Sequence, residues 1–550
     1  MGSFAEFSST LDRVQSTAGK NEKVRILSEY LRVLDADDAE RAARFATGRA
    51  SPKGSVDETQ TGYSAIMGVL EEVTGLSPRE ISRIYVKYGD LGRVAEEIAS
   101  AKKETTLFQE DLSLRDVAES FEVMTLSKGK GSNALKRGHL KAALLKATPV
   151  EAKYLVKILT KEMRIGLVDG LVVEALADAY GYDRDEVRDA NLLLGDIGTL
   201  ARQARLGTLS AVRLELMRPT NFMLAEPMQT AAEIASYFQK EVYAEVKYDG
   251  VRAQLHKKGD AVRIFSRRLE DITESFPEIA EGAKGFKGDM LLDGEIVPFK
   301  DGKPLAFQML QRRLRRIEGF EEAQTKAPVR YFLFDILLLD DAELYRKPLR
   351  ERRESLRAPT VGTGFILADM TPATKTAQIS KLFRRSRNLG YEGLVVKDPD
   401  SPYTPGKRGK SWVKLKEELD TLDVVIVGAE LGHGKRAGRL SDYTFAVRDG
   451  ERYRVIGKAY SGLTDAEIEE MAVKIKSLTV EDDGYFRRVR PVLVIEVAFD
   501  SIQKSARHDS GYALRFPRIK SIRTDKTPEQ ADDMGRVKKL YESQRVRSEP

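Results

Sequence analysis

The chain has 550 residues, with 91 lysines and arginines, 85 aspartates and glutamates, four histidines and no cysteine. At roughly 100–200 residues per domain, this length predicts about three or four domains with several hydrophobic cores. The lack of cysteine excludes disulfides, a thiolate nucleophile and cysteine-ligated zinc or iron–sulfur sites. Any catalysis therefore has to use lysine, arginine, carboxylates and hydroxyls.

The net charge of +6 is modest for this length, and it permits a nucleic-acid partner without requiring one. No uncharged apolar run reaches the ~18 residues of a membrane span. The N-terminal segment Met1–Glu6 has neither the basic nor the apolar region of a secretory signal. We therefore expect a soluble, cytoplasmic protein with no membrane partner.

Residues 1–215 predict an all-α domain. Ser77–Glu80 and Thr148–Glu151 both have the capping-box pattern, with proline at the first helical position. After the second capping box, apolar residues recur at steps of three and four and predict one apolar helical face: Leu155, Ile158, Leu159 and Met163.

Residues 216–420 predict a mixed α/β domain, because short strand-like runs alternate with turns. Val251–His256 and Ala261–Ser266 flank Lys257–Asp260 and predict a hairpin. Three more strands and a helix are expected at Leu291–Val297, Tyr331–Leu339, Leu394–Lys397 and Thr374–Asn388, respectively.

Residues 421–550 predict a small β-barrel of the oligonucleotide-binding (OB) kind, with several short strands and one helix that begins at Thr464–Glu467. The strands are expected at Val424–Val427, Tyr443–Arg448, Tyr453–Ala459 and Val492–Ala498. The predicted fold class is therefore multidomain α+β: an all-α domain, a mixed α/β domain and a β-barrel.

The sharpest chemical signal is the segment Glu245–Arg252, in which Lys247 ends a predicted strand and is followed by an aspartate and a glycine. A lysine in such a place can act as a covalent nucleophile when desolvation or cationic neighbours lower its pKa. A charged strand end that leads into a turn is the alternative, and this segment alone does not decide between them.

Further charged segments follow in order: Ser266–Arg268, Leu292–Val297, Phe332–Asp335, Glu392–Lys397 and Ser411–Lys416. In the last of these, the two-residue period of a strand puts Trp412, Lys414 and Lys416 on one face. Two cations on one face suit a phosphate chain, although a solvated strand face is the alternative. Glu392 and Lys397 have opposite parity, so a regular strand would separate their side chains.

The order and spacing of these segments resemble the ATP-dependent DNA ligases, in particular the archaeal and bacterial type with a helical N-terminal DNA-binding domain. Six nucleotidyltransferase motifs run from Lys247 to Lys526, and the last of them is Leu514–Lys526. The helical part is also similar to that family's DNA-binding domain at Gly131-Ser132, Glu151–Tyr154 and Arg164–Leu167. The resemblance implies three domains: DNA-binding (1–215), adenylation (216–420) and OB-fold (421–550).

The resemblance implies that the chain seals nicks in duplex DNA with ATP and Mg²⁺, in replication, repair and recombination. Lys247 attacks the α-phosphate of ATP and carries AMP, which passes to the 5′-phosphate of the nick before the 3′-hydroxyl displaces it. Positioning and charge neutralisation supply most of the catalysis in such displacements at phosphorus. The expected partner is nicked double-stranded DNA, bound by a monomer. The sequence leaves open whether a sliding clamp recruits the chain and how strictly ATP is required.

The resemblance also implies which residues bind the nucleoside. Glu245 is expected to contact adenine, and Phe334 to stack on its ring, with a core aromatic as the alternative for Phe334. Arg252 and Arg267 are expected to reach the ribose and phosphates. Many relatives have asparagine after this second arginine, whereas this chain has Arg268, which leaves the finer ribose contacts open.

Further residues are expected at the phosphates and the metal. Glu295 and Glu392 are expected to hold Mg²⁺ or ribose hydroxyls, since Mg²⁺ prefers one or two carboxylates plus phosphate oxygens. Lys414 and Lys416 are expected to bind the α-phosphate and to lower the pKa of the nucleophile. Arg408 is expected to be a further ATP contact, with a solvated loop as the alternative.

The last motif lies in a basic stretch. Lys504–Lys526 contains seven lysines and arginines and two aspartates, which gives a local net charge of 7 − 2 = +5. The resemblance implies that this stretch closes over the β- and γ-phosphates and then swings away, with Arg515 and Lys526 orienting pyrophosphate. A basic DNA-facing surface is the alternative.

Three rival interpretations are weaker. An mRNA capping enzyme or RNA ligase shares the lysine motif but lacks the helical N-terminal domain. NAD-dependent ligases carry a four-cysteine zinc site, whereas this chain has no cysteine. A non-catalytic DNA-binding scaffold should have lost some of the reactive residues, all of which are present: Lys247, Glu295, Glu392, Lys414 and Lys416.

DNA binding is predicted to depend steeply on salt and little on base sequence, because a ligase acts at any nick through phosphate contacts. With six or more phosphates neutralised, the affinity for a nicked duplex should fall roughly 10³-fold or more between 50 and 200 mM salt. Fluorescence anisotropy with nicked duplexes of unrelated sequence measures both properties. A strong consensus site would contradict the prediction.

Overall fold

The computed structural model describes residues 2–52, 62–100, 111–127, 131–305, 307–311, 313–314, 324–325, 327–357, 364–416, 420–432, 436 and 438–548. The chain divides into two compact units. One contains Met1–Phe383 and Leu394–Leu415, and the other contains Arg384–Gly393 and Lys416–Pro550. In the described part of the chain, no helix has both the length and the apolar character needed to cross a membrane.

The N-terminal region is helical, as predicted. Its helices, in the described residues, are Phe4–Ser16, Lys20–Arg32, Ala36–Ala46, Tyr63–Thr74, Pro78–Tyr88, Leu91–Ala99, Leu114–Leu126, Ser132–Lys146, Pro149–Thr160, Asp169–Tyr180, Arg184–Leu194 and Ile197–Leu206. Ser77 and Thr148 both form the predicted capping boxes, with Glu80 and Glu151 as the reciprocal partners. One continuous apolar core packs these helices together.

The central region contains twelve strands in the described residues: β1 Leu224–Met228, β2 Val242–Lys247, β3 Val251–Lys258, β4 Ala261–Ser266, β5 Met290–Lys300, β6 Lys303–Pro304, β7 Val329–Leu339, β8 Ala342–Glu343, β9 Phe365–Leu367, β10 Met370–Ala373, β11 Gly393–Lys397 and β12 Arg408–Lys416. Helices lie at Ala231–Phe238, Pro277–Lys284, Gln308–Gln311, Leu349–Arg357 and Thr376–Asn388.

These strands form two sheets. The first has the order β1-β12-β11-β2-β10, and β1 and β12 are parallel. The second is built on the antiparallel path β4-β3-β5-β7-β8, with β6 and β9 added at β5 and β7. The chain passes from the first sheet to the second between β2 and β3, so Tyr248-Asp249-Gly250 forms the corner between them.

The predicted hairpin of β3 and β4 is present, but its turn is tighter than expected. Lys257 and Lys258 belong to β3, and Lys258 pairs with Ala261, so the turn consists of Gly259 and Asp260 alone. Gly259 has a φ of 56°, a left-handed conformation that glycine adopts without steric strain. This conformation allows a two-residue turn where the sequence suggested four.

The C-terminal region is strand-rich, with β13 Thr421–Leu431, β14 Leu440–Asp449, β15 Arg452–Ala459, β16 Thr479–Asp482, β17 Phe486–Val489, β18 Val494–Ala498, β19 Ser501–Lys504, β20 Tyr512–Arg515 and β21 Arg518–Ile522. The long strand β13 pairs with β14, β17 and β18. The expectation of one helix is wrong: besides Asp465–Leu478, which Thr464 caps, a second helix spans Met534–Ser548. Its buried side chains Met534, Val537 and Leu540 pack in the core of the C-terminal region. The sequence did not predict this helix because its amphipathic pattern is weak.

A buried polar pair on β3 holds the connection between the helical region and the central sheets. Gln254 exchanges two hydrogen bonds with the backbone of Thr220, at 2.8 and 3.1 Å. His256 Nδ1 accepts from the backbone N–H of Met217 at 3.2 Å, so the ring is neutral with its proton on Nε2, which faces Gln254 Oε1. Burial, helped by the Arg263 cation, lowers the pKa of His256 to about 3.

His256 predicts a pH-dependent stability of the central domain. Its pKa is near 6.5 in the unfolded chain, so between pH 6.5 and 3 the unfolded state binds more protons and stability falls as the pH falls. Between pH 7.5 and 5.5 the loss from this residue should be about 1.4 kcal/mol. Urea unfolding, followed by the fluorescence of the single tryptophan Trp412, should show this loss in the wild type and a smaller one in His256→Gln. Equal losses in the two proteins would contradict the assignment.

Candidate active site

Lys247 ends β2 at the corner between the two sheets. The corner is tight, because a Cβ on Gly250 would lie 2.3 Å from the Ile296 carbonyl oxygen and 2.9 Å from Glu295 Cγ. Only glycine lets the turn approach β5 so closely. Tyr248, the residue after the lysine, is buried and stacks on Phe332 with ring centroids 4.3 Å apart. The lysine, aspartate and glycine of the motif thus form a fixed turn packed against β5.

Two residues before the lysine, Glu245 is buried in an ion pair. Both carboxylate oxygens accept from Lys397 Nζ, at 2.9 and 3.0 Å, and the two side chains are 2% and 1% exposed. Burial is the largest influence on both groups: it raises the pKa of Glu245 and lowers that of Lys397, against their mutual attraction. Lys397 ends β11, the neighbour of β2 in the first sheet.

The two sheets meet at a cluster of aromatic rings and cations. Trp412 from the first sheet and Phe334 from the second are buried, with ring centroids 6.3 Å apart. The ammonium of Lys397 lies 4.1 Å from the Trp412 centroid and 4.4 Å from that of Phe334. Arg252 approaches the same two rings, at 5.8 and 5.4 Å. Cation–π attraction therefore connects the sheets.

Arg252 is held by a carboxylate of its own sheet. It forms a bidentate pair with Asp293, at 2.7 and 3.2 Å, and donates to the Met223 carbonyl oxygen at 2.7 Å. Tyr403 completes the carboxylate shell by donating to Asp293 at 2.7 Å. Burial disfavours the charged guanidinium, but the Asp293 carboxylate outweighs it, so the pKa of Arg252 is raised above its usual range.

A third ion pair, which is fully buried, involves Asp335, the residue after Phe334. Asp335 receives two hydrogen bonds from Arg352, at 2.7 and 2.9 Å, and both side chains are fully buried. Arg352 also donates to the Ser401 carbonyl oxygen at 3.0 Å. This bidentate pair anchors the helix Leu349–Arg357 to β7, the strand that carries Phe334.

The other nucleotide-binding candidates of the first unit lie nearer to solvent. Glu295 on β5 and Lys414 on β12 are half-buried, and Glu295 is the register partner of Arg252. Arg267 is exposed in the turn after β4, and Arg408 is exposed at the start of β12. The structure therefore brings Glu245, Arg252 and Phe334 into one buried cluster and leaves Arg267 and Arg408 at the surface.

Glu392 and Lys416 belong to the second unit, where they form an ion pair at 2.7 Å. Glu392 precedes β11, whereas Lys397 ends it and pairs with Glu245. The two side chains therefore have different partners in the protein.

Two cations of the C-terminal basic stretch, Arg523 and Lys526, are paired with a carboxylate. Asp423 accepts from Arg523 at 2.9 Å and also from Lys526. The guanidinium of Arg515 lies 5.0 Å from the ring centroid of Phe516. His433 lies outside the described residues.

Sequence reasoning missed the buried partners in this site: Asp293, Asp335, Arg352, Lys397 as the partner of Glu245, and Tyr403. A signal was present, because several of these charges interrupt strongly apolar runs, as Asp335 does within Val329–Leu339. A charge inside such a run has to be buried with its strand, and a buried charge needs a partner. The identity of each partner, however, depends on the pairing of distant strands.

The Asp335–Arg352 pair predicts that removing a buried carboxylate costs much more folding stability than removing an exposed one. Asp335→Ala should destabilise the central domain by about 3–5 kcal/mol, because it leaves the guanidinium buried without its carboxylate. Glu354→Ala on the same helix is the control, since its pair with Arg357 is exposed and is worth no more than about 0.5 kcal/mol. Urea unfolding followed by Trp412 fluorescence measures both variants, and equal effects would refute the burial argument.

Comparison with known proteins covers nearly the whole chain. Residues 3–177 match the DNA ligase N terminus, residues 222–416 the ATP dependent DNA ligase domain, and residues 436–526 the ATP dependent DNA ligase C terminal region. A probable DNA ligase of Koribacter versatilis is 41% identical over 97% of this chain and 96% of its own length. A DNA ligase of Methanothrix thermoacetophila is 37% identical over the full length of both chains.

A solved structure, Pmar-Lig_PreS3, has the same fold, with a TM-score of 0.57 and 17% identity over 94% of this chain and 99% of that one. The predicted fold class is confirmed in its helical N-terminal region, its central adenylation domain and its strand-rich C-terminal domain. From these full-length similarities, the chain belongs to the family of ATP-dependent DNA ligases.

Proposed function

We propose that Lys247 is the residue that carries AMP in this ligase. Members of the family seal nicks through an adenylate intermediate, and this chemistry needs a nucleophile beside a nucleotide pocket. The observation that carries the proposal is the place of Lys247: it ends β2 at the corner where two sheets meet, on the same strand face as buried Glu245. A rigid corner holds the amine in one position for in-line attack.

The proposed reaction has three displacements at phosphorus. The deprotonated Lys247 Nζ attacks the α-phosphorus of ATP, and the bond to the bridging oxygen breaks so that pyrophosphate leaves. An oxygen of the 5′-phosphate at the nick then takes AMP from the lysine. Finally the 3′-hydroxyl, on losing its proton, attacks the 5′-phosphorus and releases AMP. Each step places charge on phosphate oxygens, which nearby cations stabilise.

The burial pattern supports different roles for the buried and the exposed nucleotide-binding residues. Glu245 and Phe334 are buried, as suits contacts to adenine, and Arg252 lies over the ring of Phe334. Arg267 and Arg408, which are exposed, are proposed to bind ribose and phosphates only when the nucleotide is present.

Two lysines of β12 are proposed to serve the α-phosphate. Lys414 and Lys416 are two residues apart on one strand, so their side chains share a face. Two cations there would neutralise the charge of the α-phosphate.

Mg²⁺ is proposed as the metal. In the described part of the chain, no three carboxylate or histidine side chains come together as a ready-made cage. Mg²⁺ in nucleotide enzymes is ordinarily held by one or two carboxylates plus phosphate oxygens, and half-buried Glu295 beside the Gly250 corner fits that role, with Glu392 as the second candidate. The bound ion would neutralise the charge of the triphosphate.

The proposed domains are 1–215 for DNA binding, 216–420 for adenylation and 421–550 for the OB-fold. The last long helix of the first region ends at Leu206, β1 starts at Leu224 and β13 starts at Thr421, which supports both boundaries. We also propose a monomer that acts on nicked double-stranded DNA, with a sliding clamp as a candidate second partner. Size-exclusion chromatography and capture on immobilised clamp test these two points.

The first experiment is peptide-mapping mass spectrometry after incubation with Mg²⁺ and, separately, ATP, GTP or NAD. AMP on Lys247 from ATP, discharged by nicked DNA and not by nicked RNA, is the expected result. Absence of any adduct on protein first stripped of bound AMP would instead favour a non-catalytic scaffold, and GMP on Lys247 would indicate capping chemistry.

Lys247→Ala should lose the adduct and the sealing of nicks from ATP, but it should still seal a nick that is already adenylated, because the last step needs no lysine nucleophile. Lys258→Ala, which removes an exposed lysine from β3, is the control and should retain all activities. Sealing from ATP by Lys247→Ala would overturn the proposal.

A further inference from the structure

We propose that Lys397 is a positioning residue that makes the site select ATP over GTP, by keeping Glu245 an ionised hydrogen-bond acceptor. The inference rests on the proposed function, in which Glu245 contacts the purine. It assigns a role to a lysine that lies outside the set expected to bind nucleotide.

The geometry restricts what the Glu245 carboxylate can do. Lys397 Nζ donates to both of its oxygens, at 2.9 and 3.0 Å, and the pair is almost completely buried. A carboxylate offers about four lone-pair positions, so roughly two remain for a ligand. The rings of Phe334 and Trp412 flank the ammonium at 4.4 and 4.1 Å and keep it in place.

Lys397 is the larger of two cationic influences on Glu245. The charge of Arg353 also lowers the pKa of Glu245, but its guanidinium donates to the carbonyl oxygens of Leu333 and Ala368. Asp335, which also faces the pair, is occupied by its own bidentate arginine. On β10, the register partner of Glu245 is the apolar Met370. The charge of Glu245 is therefore balanced by Lys397.

An ionised Glu245 can distinguish adenine from guanine by the group at position 6 of the purine. Adenine presents an amino group at N6, a donor, where guanine presents the acceptor O6. An ionised carboxylate only accepts, so it binds the adenine amine and repels guanine O6. A protonated carboxyl group has an O–H donor and can bind O6. Without Lys397, burial would favour the protonated form of Glu245 and so weaken the discrimination.

Folding stability gives no reason for an ion pair between Glu245 and Lys397. A buried ion pair is often no more stabilising than well-packed apolar side chains of the same volume. By strand parity, the opposite face of the same sheet is packed with apolar side chains, which include Val396 and Val413. A role in recognition accounts for charges on the face that carries Glu245 and Lys397.

The test compares the rates at which ATP and GTP form the nucleotide adduct on Lys247, between pH 6 and 9. Lys397→Met should lower the ATP-to-GTP ratio of kcat/KM by roughly tenfold or more. Its use of GTP should decline as the pH rises and Glu245 ionises. Lys397→Arg should restore the wild-type ratio, and Glu245→Gln should lose selectivity without this pH dependence, since its amide can donate at any pH.

Lys157→Met is the matched control. Lys157 is also fully buried and paired with a carboxylate, Asp90, at 2.5 Å, but it lies in the helical region. Its removal should reduce stability without changing the ATP-to-GTP ratio. If Lys397→Met fails to fold, Lys397→Gln removes the charge but keeps a polar side chain and Glu245, and it should show the same fall in the ATP-to-GTP ratio.

A wild-type ratio in Lys397→Met, or an equal loss of both nucleotides, would overturn the inference while leaving Lys247 as the nucleophile. Failure of the proposed function has a different signature, because the wild-type protein would then form no AMP adduct on Lys247 from ATP. The reaction of the wild-type protein with ATP therefore shows whether the proposed function fails, independently of any result with Lys397→Met.

Discussion

Paired charges buried between two sheets determine the geometry of the central domain. Arg252 with Asp293, and Lys397 with Glu245, lie under the rings of Phe334 and Trp412. Each charge would be strongly unfavourable in the interior by itself, and each has its partner on the neighbouring strand of its own sheet. The cation of each pair also approaches a ring of the other sheet, Lys397 that of Phe334 and Arg252 that of Trp412, and these contacts connect the two sheets.

Burial separates the cations of the site into two groups. Lys397, Arg252 and Arg352 are committed to carboxylates of the protein, and their role is to orient strands and acidic side chains. Arg267 and Arg408 lie at the surface and are the cations that we propose to bind the ribose and phosphates. In the proposed reaction these exposed cations would exchange partners between steps, while the buried pairs keep the framework fixed.

Much of the fold was predictable because its signals are local. Capping boxes at Ser77, Thr148 and Thr464 marked helix starts, and alternating apolar runs marked β3, β4, β5 and β7. The boundaries were less accurate, since strand ends such as Lys258 depend on cross-strand hydrogen bonds with Ala261. The helix Met534–Ser548 was missed because it is stabilised by packing onto the β-strand core, and its own sequence has little amphipathic character.

The sequence by itself identified the family and the lysine that we propose as the nucleophile, because the motif residues are chemically unusual and occur in a fixed order along the chain. Only the tertiary structure decided which charges face each other. Glu245 and Lys397 are separated by 152 residues, and Arg252 and Asp293 by 41. Strand order in a sheet depends on the burial of whole apolar faces and on loop closure, which no local pattern contains. For that reason, Lys397 became recognisable as the partner of Glu245 only when β11 was placed beside β2.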